Sequence, residues 1–216
     1  QTVRRDFVSN ISHELRTPLS VLRGEVEALQ DGIMKADEEG LAGLHSEVMH
    51  LERMVADLYE LSMSDIGALS YRKVKVDPAG ILKGTVELFE RRFHEKNITL
   101  SSNISEENPH SILADPDRLQ QLFSNILENS LRYTDDGGSV GVDLLTSENE
   151  VVITIDDSAP SVPDGQLEHL FDRFYRVDGS RSRATGGVGL GLAICKNIVE
   201  GHGGRIIASP SEQGGI

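Results

Sequence analysis

A histidine inside a helical pattern stands beside residue types that can assist phosphoryl transfer. Glu14 directly follows His13, and Thr17 lies one helical turn later on the same face. The carboxylate can accept an imidazole proton while a ring nitrogen attacks phosphorus, and the hydroxyl can position a water molecule. Pro18 removes a helical hydrogen bond to the Glu14 carbonyl and is expected to bend the helix there. An outward-facing histidine is more often an ordinary surface residue, so the spacing alone leaves both interpretations open.

Two asparagines on a second helical pattern have the chemistry of metal ligands. Asn125 and Asn129 are four residues apart and therefore share a helix face, and Arg132 and Tyr133 follow them. Carboxamide oxygens suit Mg²⁺, which takes few protein ligands besides phosphate oxygens and water. A solvated polar face is the alternative, although the apolar residues between positions 122 and 131 indicate that much of this helix is buried.

A glycine-rich segment near the C-terminus is a candidate phosphate site. Residues 187–192, Gly-Val-Gly-Leu-Gly-Leu, open a predicted helix whose first N–H groups favour anions. The segment lacks the Lys-Ser/Thr ending of a P-loop. Four arginines and one acid, Asp178, lie between Arg173 and Arg183 and form a basic island that suits a triphosphate. Each arginine taken alone fits a solvated loop equally well.

Two long amphipathic helices must position His13. Apolar residues recur at steps of three and four from Val3 to Ile33 and again from Leu41 to Leu61, with a polar, glycine-containing break between them. This pattern predicts an antiparallel helical hairpin. Two such helices cannot bury both stripes against each other alone, and a second copy would complete a four-helix bundle. We therefore expect a homodimer.

After Gly67 the hydrophobic period changes. Helical and alternating segments follow each other without strict β–α–β order, which predicts an α+β sandwich and a two-domain α+β chain. The predicted domains are residues 1–68 and 72–216, with a hinge near Gly67 to Tyr71. The predicted helices are 77–95, 117–132 and 190–201, the predicted strands are 98–104, 111–114, 139–145, 151–156 and 205–208, and residues 158–188 are predicted to form a long irregular loop.

The composition excludes several classes of protein. The 216 residues carry 35 acidic and 21 basic side chains, a net charge of −14 that repels nucleic acid. The single cysteine, Cys195, excludes an intrachain disulfide framework and a thiolate metal cluster. No apolar run reaches the length of about 18 residues that a membrane span needs. The chain lacks an initiator methionine and stops in Gly-Gly-Ile, so we expect an excised fragment.

The segment from Phe7 to Leu19, FVSNISHELRTPL, resembles the H-box of two-component sensor histidine kinases at nearly every position. The resemblance implies that His13 is the phosphoacceptor and that Glu14 is its acid–base partner. It implies that Thr17 acts when the kinase dephosphorylates its partner.

Residues 125–133 resemble the N-box of the same family. The resemblance assigns Asn129 to Mg²⁺ and Asn125 to the metal and phosphate shell, and it assigns Arg132 and Tyr133 to the nucleotide. Related ATPases of the gyrase and Hsp90 type carry a water-activating glutamate where Asn125 stands. The absence of that glutamate favours transfer to a protein nucleophile over hydrolysis of ATP.

Residues 156–161, DDSAPS, resemble the adenine-binding motif of the family. Asp157 occupies the position whose carboxylate receives the adenine amino group. Ala159 and Ser161 depart from the family pattern because they replace two glycines, and each brings a side chain to where the backbone approaches the base.

Two further segments resemble the F-box, at residues 171–176, and the second glycine box, at residues 187–191. The F-box aromatic residues of the family pack its nucleotide lid. These resemblances, with that of the adenine motif, assign nucleotide contacts to Asp157, Ala159, Phe171, Phe174, Arg176, Gly187, Gly189, Leu190 and Gly191.

These motifs occur in the family's order over nearly the whole chain. The resemblance therefore implies a dimerisation and phosphotransfer domain followed by an ATP-binding domain of the GHKL (Bergerat) type. It implies autophosphorylation of His13 from Mg-ATP, transfer to an aspartate of a response regulator receiver domain, and phosphatase activity. The amino-acid sequence of residues 17–25 and 61–65 is most similar to that of envelope-stress kinases. That similarity implies that the partner is a response regulator of an envelope-stress system. It also implies that the chain is the cytoplasmic portion of a bacterial inner-membrane sensor, joined to the membrane only through segments before this chain.

Two other functions fit parts of the sequence. One is a GHKL-type ATPase in which His13 is incidental; steady ATP turnover without a phosphoprotein would distinguish it. The other is a non-catalytic dimerisation scaffold with a degenerate nucleotide site, which Ala159 and Ser161 favour and which would bind no ATP.

Overall fold

The computed structural model describes residues 2–104, 111–147, 150–177 and 188–216. The chain divides into two compact units, Gln1–Ala68 and Leu69–Ile216. Gly187 and most of the basic island lie outside the described residues, as does part of the predicted loop 158–188. Within the described ranges no helix combines the length and apolarity that crossing a membrane requires.

The first unit is the predicted helical hairpin. Helix α1 spans Thr2–Gln30 and helix α2 spans Glu38–Asp65. Asp37 caps α2 because its carboxylate accepts the N–H of Gly40 at 3.1 Å. Two acidic residues in the first turn of α2 also stabilise the helix, because their negative charges lie near the positive end of its dipole.

The apolar stripes of the hairpin remain partly uncovered in one chain. Ile33, for example, is 81% exposed. Exposed apolar surface of this extent favours association with another surface. The other exposed apolar residues on the predicted stripes are Leu19, Val26, Leu41, Val48 and Val55.

The second unit combines three α-helices with two small sheets among the described residues. Strands β1 and β3 pair antiparallel, β2 and β4 pair parallel, and β4 and β5 pair antiparallel. The elements in chain order are β1 Val74–Val76, α3 Pro78–Glu95, β2 Thr99–Ile104, β3 Ile112–Ala114, α4 Pro116–Tyr133, β4 Ser139–Thr146, β5 Val151–Asp157, a 3₁₀ helix Asp164–His169 and α5 Gly191–Gly201.

Two Asp-Pro pairs start the helices that follow β1 and β3. Asp77 accepts the N–H of Ala79 at 3.0 Å, and Asp115 accepts the N–H of Asp117 at 3.1 Å. Each proline occupies the first turn, where its missing N–H costs no hydrogen bond. These starts confirm two of the predicted helices to within one residue.

The core of the second unit lies between the helices and one face of the sheet. Val140, Val142 and Leu144 alternate along β4 and are buried, while the helices pack on β2, on β5 and on one another. The α+β fold predicted from the sequence is confirmed. The largest fully buried side chains of this core are Leu82, Phe93, Phe123, Leu127, Val140, Val142, Leu190, Ile194 and Ile198.

The predicted strand 205–208 is wrong. These residues form no strand with the described part of the chain, and it is the last residues that pair with the end of β5. The N–H of Asp157 donates to the carbonyl of Ile216 at 2.9 Å, and Ser158 pairs with Gly214 in an antiparallel bridge. Strand β1 was also not predicted from the sequence. The 3₁₀ helix was missed as well, because it lies within residues 158–188, which were predicted to form an irregular loop.

Candidate active site

His13 lies on α1 with its side chain exposed, as its position off the apolar stripe predicts. Glu14 is half-buried and Thr17 is exposed. Pro18 is buried inside α1, which continues through it. Since proline has no N–H, the Glu14 carbonyl lacks its usual partner within the helix. The imidazole is therefore accessible from solvent next to a carboxylate and near a hydroxyl.

The two asparagines of α4 are available for a ligand. Asn125 and Asn129 are half-buried, and neither carboxamide has a hydrogen-bond partner among the described residues. Arg132 is half-buried and Tyr133 is 39% exposed at the end of the same helix. The helix therefore presents amide oxygens, a guanidinium group and a phenol along its last three turns.

Asp157 ends β5 with only 9% of its surface exposed. Its carboxylate accepts the N–H of Ile216 at 2.9 Å and a side-chain hydrogen bond from Ser130 of α4. Burial raises the pKa of the Asp157 carboxyl above its usual range, while these two hydrogen bonds oppose the rise and the charge of Asp156 adds to it. The side chain is thus a fixed acceptor between β5 and α4.

Ser130 and Gly215 are site residues that the sequence analysis missed. A Cβ atom at Gly215 would collide with the carboxylate and carbonyl oxygens of Asp157 and with the Ser158 carbonyl. Only glycine lets the last segment approach Asp157 this closely. The Gly-Gly pair near the end of the sequence was the available indication, whereas nothing in the spacing marked Ser130.

The two departures from the adenine motif fit the loop without strain. Ala159 and Ser161 are exposed, and neither has a positive φ angle. The Ala159 carbonyl accepts the N–H of Asp135 at 3.3 Å, and the Ser161 hydroxyl donates to the Gly215 carbonyl at 3.3 Å. The loop conformation therefore does not require glycine at either position.

The F-box and the second glycine box contact each other directly. The N–H of Phe174 donates to the carbonyl of Gly189 at 2.9 Å. Gly189 has a φ angle of +75°, and a Cβ atom there would lie 2.8 Å from the Tyr175 carbonyl oxygen. Leu190 is buried in front of α5, whose first residue is the half-buried Gly191. Glycine is therefore required where the two motifs meet.

Arg176 carries an unsatisfied cation close to this contact. Its Nε and Nη2 atoms are buried and have no hydrogen-bond partner among the described residues. Buried guanidinium donors without partners are costly, and an anionic ligand would satisfy them. Phe171 and Phe174 are half-buried in the same segment, and Tyr175 donates its hydroxyl to Gln166 at 2.9 Å.

The residues present fit a magnesium nucleotide. Asp157 can supply an acceptor for an amino group, Arg176 has two donors without a partner among the described residues that can bind phosphate, and Asn125 and Asn129 can supply hard oxygen ligands. Within the ranges that the structure describes, no group of three or more His, Cys, Asp or Glu side chains is placed to hold a metal ion. Two carboxamides suit Mg²⁺ that is held largely by phosphate oxygens.

Both compact units match models of known protein families. Residues 3–67 match the model of the His Kinase A (phospho-acceptor) domain. Residues 114–216 match the model of the histidine kinase-, DNA gyrase B-, and HSP90-like ATPase. The two models together match most of the chain, one in each compact unit.

Individual proteins show the same relationship. The chain is 53% identical over 216 residues to the signal transduction histidine-protein kinase BaeS of Escherichia coli K12, which covers 100% of this chain and 46% of that protein. This chain thus spans about half the length of that relative. Among solved structures, the histidine kinase AdeS of Acinetobacter baumannii has a TM-score of 0.71 at 24% identity, covering 87% of this chain and 86% of that one.

A second structural neighbour is the histidine kinase ThkA, solved in complex with the response regulator protein TrrA. Its TM-score is 0.74 at 19% identity, and the match covers 97% of this chain and 58% of that one. At these identities the solved structures establish the fold alone. With a phosphoacceptor domain, a kinase-type ATPase domain and 53% identity to BaeS over its whole length, this chain belongs to the histidine kinase family.

Proposed function

We propose that this chain is the kinase core of a two-component sensor. It transfers the γ-phosphoryl group of ATP to His13 and then passes it to an aspartate of a response regulator. One observation carries the proposal: a chain with an accessible histidine beside Glu14 also has the buried carboxylate of Asp157 and two buried Arg176 donors that lack a partner among the described residues.

At the phosphoacceptor, a ring nitrogen of His13 forms a bond to the γ-phosphorus as the bond from phosphorus to the bridging oxygen of ADP breaks. The carboxylate of Glu14 holds the proton of the imidazole, so that the attacking nitrogen keeps its lone pair. In the opposing phosphatase reaction, Thr17 positions the water molecule that hydrolyses the phosphorylated aspartate of the regulator. Phosphoryl transfer depends on alignment more than on covalent chemistry, so positioning supplies most of the rate.

The nucleotide is bound by the second unit. The carboxylate of Asp157 accepts a hydrogen bond from the adenine amino group. Asn129 binds Mg²⁺, and Asn125 contacts the metal and the phosphates. When bound, Mg²⁺ neutralises charge on the phosphate oxygens. The remaining proposed nucleotide contacts are Arg132, Tyr133, Ala159, Phe171, Phe174, Arg176, Gly187, Gly189, Leu190 and Gly191.

The proposed partners are a second copy of the chain and a response regulator receiver domain. The uncovered stripes of α1 and α2 supply the dimer surface, since a four-helix bundle would bury them. ThkA was solved with its response regulator, and the similarity to BaeS favours a BaeR-like regulator and a role in envelope stress. We place the chain in the cytoplasmic portion of an inner-membrane sensor, with no nucleic-acid partner because of its charge of −14.

Labelling with γ-labelled ATP and Mg²⁺ tests this function. Wild-type protein should acquire label that is lost in acid and survives alkali. His13→Gln should remain unlabelled but still bind a fluorescent ATP analogue, while His45→Gln, an exposed histidine on α2, should label normally. Label that persists in His13→Gln, or phosphate release without a phosphoprotein, would contradict the proposal.

A further inference from the structure

The side chain of Lys96 closes the C-terminal end of α4. Its Nζ atom donates to the carbonyl oxygens of Leu131 at 2.6 Å, Thr134 at 2.9 Å and Arg132 at 3.3 Å. An ammonium group has three donors, and these three carbonyls engage all of them. Lys96 lies outside every nucleotide motif of the sequence, at the end of α3.

The last turn of α4 needs such a partner. The final carbonyls of a helix have no N–H of their own helix to accept, and they carry the negative end of the dipole. Many helices solve this with a left-handed glycine, but the C-cap residue Thr134 is extended, with φ −64° and ψ 131°. Lys96 therefore supplies both the hydrogen bonds and the positive charge that this end requires.

Lys96 is itself held in place from both sides. Its N–H donates to the Phe93 carbonyl at 3.1 Å, where α3 ends. The next residue, Asn97, has a φ angle of +53° and donates its amide to Asp136 at 3.1 Å. The N–H of Thr99 donates to the Gly138 carbonyl at 2.9 Å. The turn after α3 is thus fastened to the turn after α4, which places the Lys96 side chain beside the end of α4.

The residues capped by Lys96 are those that the nucleotide site uses. Arg132 offers its carbonyl to the ammonium, and Tyr133 lies between the two other acceptors. Both side chains are proposed nucleotide contacts. We propose that Lys96 is a positioning residue for ATP binding: it sets the position of Arg132 and Tyr133 by fixing the end of α4. This inference rests on the proposed function.

Three variants of the full chain test the inference. Lys96→Met keeps most of the length of the side chain but removes the donors and the charge. It should weaken binding of a fluorescent ATP analogue about fivefold, which corresponds to about 1 kcal/mol. Lys96→Arg keeps the charge and several donors and should restore most of the affinity. Lys75→Met removes an exposed lysine of β1 and should bind like the wild type.

Hydrogen exchange without nucleotide separates positioning from general stability. In Lys96→Met, amides at the end of α4, including the Thr134 N–H that donates to Ser130 at 2.9 Å, should exchange faster, while amides within α5 stay protected. If Lys96→Met does not fold, Lys96→Gln serves in the same comparison. Unchanged affinity together with a lower melting temperature would overturn the inference. A wild-type chain that binds no ATP would overturn the proposed function instead, and the exchange result would still test the cap.

Discussion

The backbone N–H of Asp115 donates a hydrogen bond to Nε2 of His202 at 2.9 Å. The other ring nitrogen, Nδ1, lies 2.7 Å from the Ile198 carbonyl and must donate to it. The ring is therefore neutral, with its proton on Nδ1. Because Asp115 caps α4 and Ile198 belongs to α5, one imidazole joins the helix that carries Asn125 and Asn129 to the helix that begins at Gly191.

Replacing this histidine should destabilise the second unit. His202→Ala leaves the N–H of the buried Asp115 without its partner, and we expect the free energy of unfolding to fall by about 2 kcal/mol. His202→Gln retains an acceptor and should lose less. Denaturant unfolding followed by tyrosine fluorescence measures the change. His94→Ala, which removes an exposed histidine of α3, is the control, and an equal loss in both alanine variants would contradict the assignment.

A second contact of His202 narrows the proposed hinge. Tyr71 packs edge-on against the His202 ring at 4.9 Å between centroids and donates its hydroxyl to the Asn197 carbonyl at 3.1 Å. Tyr71 is therefore fastened to the second unit. The hinge proposed near Gly67 to Tyr71 is better restricted to residues 67–70.

Glycine-to-alanine changes at Gly201 and Gly84 should change the free energy of unfolding in opposite directions, because only Gly201 lies against the Tyr71 ring. At Gly201 in α5 a Cβ atom would collide with the Tyr71 ring, so Gly201→Ala should lower the free energy of unfolding by about 2 kcal/mol. At Gly84 in α3 a Cβ atom meets nothing within 4 Å, so Gly84→Ala should raise it by about 0.5–1 kcal/mol. Denaturant unfolding measures both. Equal shifts of one sign would show that the Tyr71 contact is not tight.

The raised pKa of Asp157 predicts that ATP binding weakens on acidification. Burial makes this carboxyl take up a proton at a higher pH than an exposed aspartate, and a protonated carboxyl is a weaker acceptor for the adenine amino group. Affinity for an ATP analogue should therefore fall as the pH is lowered toward that pKa. Asp157→Asn should bind roughly tenfold more weakly at neutral pH and lose this pH dependence. Asp143→Asn, on the neighbouring strand β4, should keep both, and a pH profile that Asp157→Asn leaves unchanged would contradict the role.

Restoring the family's glycines should bring no gain in affinity. Ala159 and Ser161 already adopt ordinary φ angles with exposed side chains, so glycine only adds freedom to the unbound loop. We expect Ala159→Gly and Ser161→Gly to bind ATP within about twofold of the wild type, a difference of less than about 0.5 kcal/mol. Isothermal titration measures it. A large gain in either variant would mean that the side chains obstruct the base and would support the scaffold alternative.

The fold could be predicted where local chemistry determines it. Asp77-Pro78 and Asp115-Pro116 mark helix starts by capping and by the fixed φ of proline, and His13 lies off a regular apolar stripe. Strand β1 was not predicted, because its three residues are held as a strand by pairing with β3, about forty residues later in the sequence. The segment expected as a strand at 205–208 carries the apolar pair Ile206 and Ile207, but a strand also needs a pairing partner, and these residues pair with no strand in the described part of the chain.

The residues of the candidate site also fall into those that the sequence predicts and those that it does not. Its motif residues are visible in the sequence because their spacing matches known motifs. Its supporting residues are not, because Ser130 reaches Asp157 and Lys96 reaches Leu131 only after the helices have packed on the sheet. Lys96, at the end of a surface helix, has the spacing of an ordinary solvated lysine. Only the packed structure shows that it closes another helix.

Asp57 in α2 should make the stability of the helical unit depend on pH. Burial raises the pKa of its carboxyl to about 6, with the charge of Glu60 one turn later adding to the rise and that of Arg53 opposing it. A carboxyl whose folded pKa is raised favours the fold when protonated, so this contribution is present below the unfolded pKa and is lost as the pH rises through about 6. Asp57→Asn should therefore stabilise the unit at neutral pH by about 1 kcal/mol, a figure reduced for the partial exposure of the side chain. Thermal unfolding followed by circular dichroism should show the difference between variant and wild type growing from about pH 4 to about pH 6 and levelling off above that. Glu52→Gln, which neutralises an exposed acid of the same helix, should show no such growth, and a constant difference for Asp57→Asn would mean that the carboxyl is not buried in the folded protein.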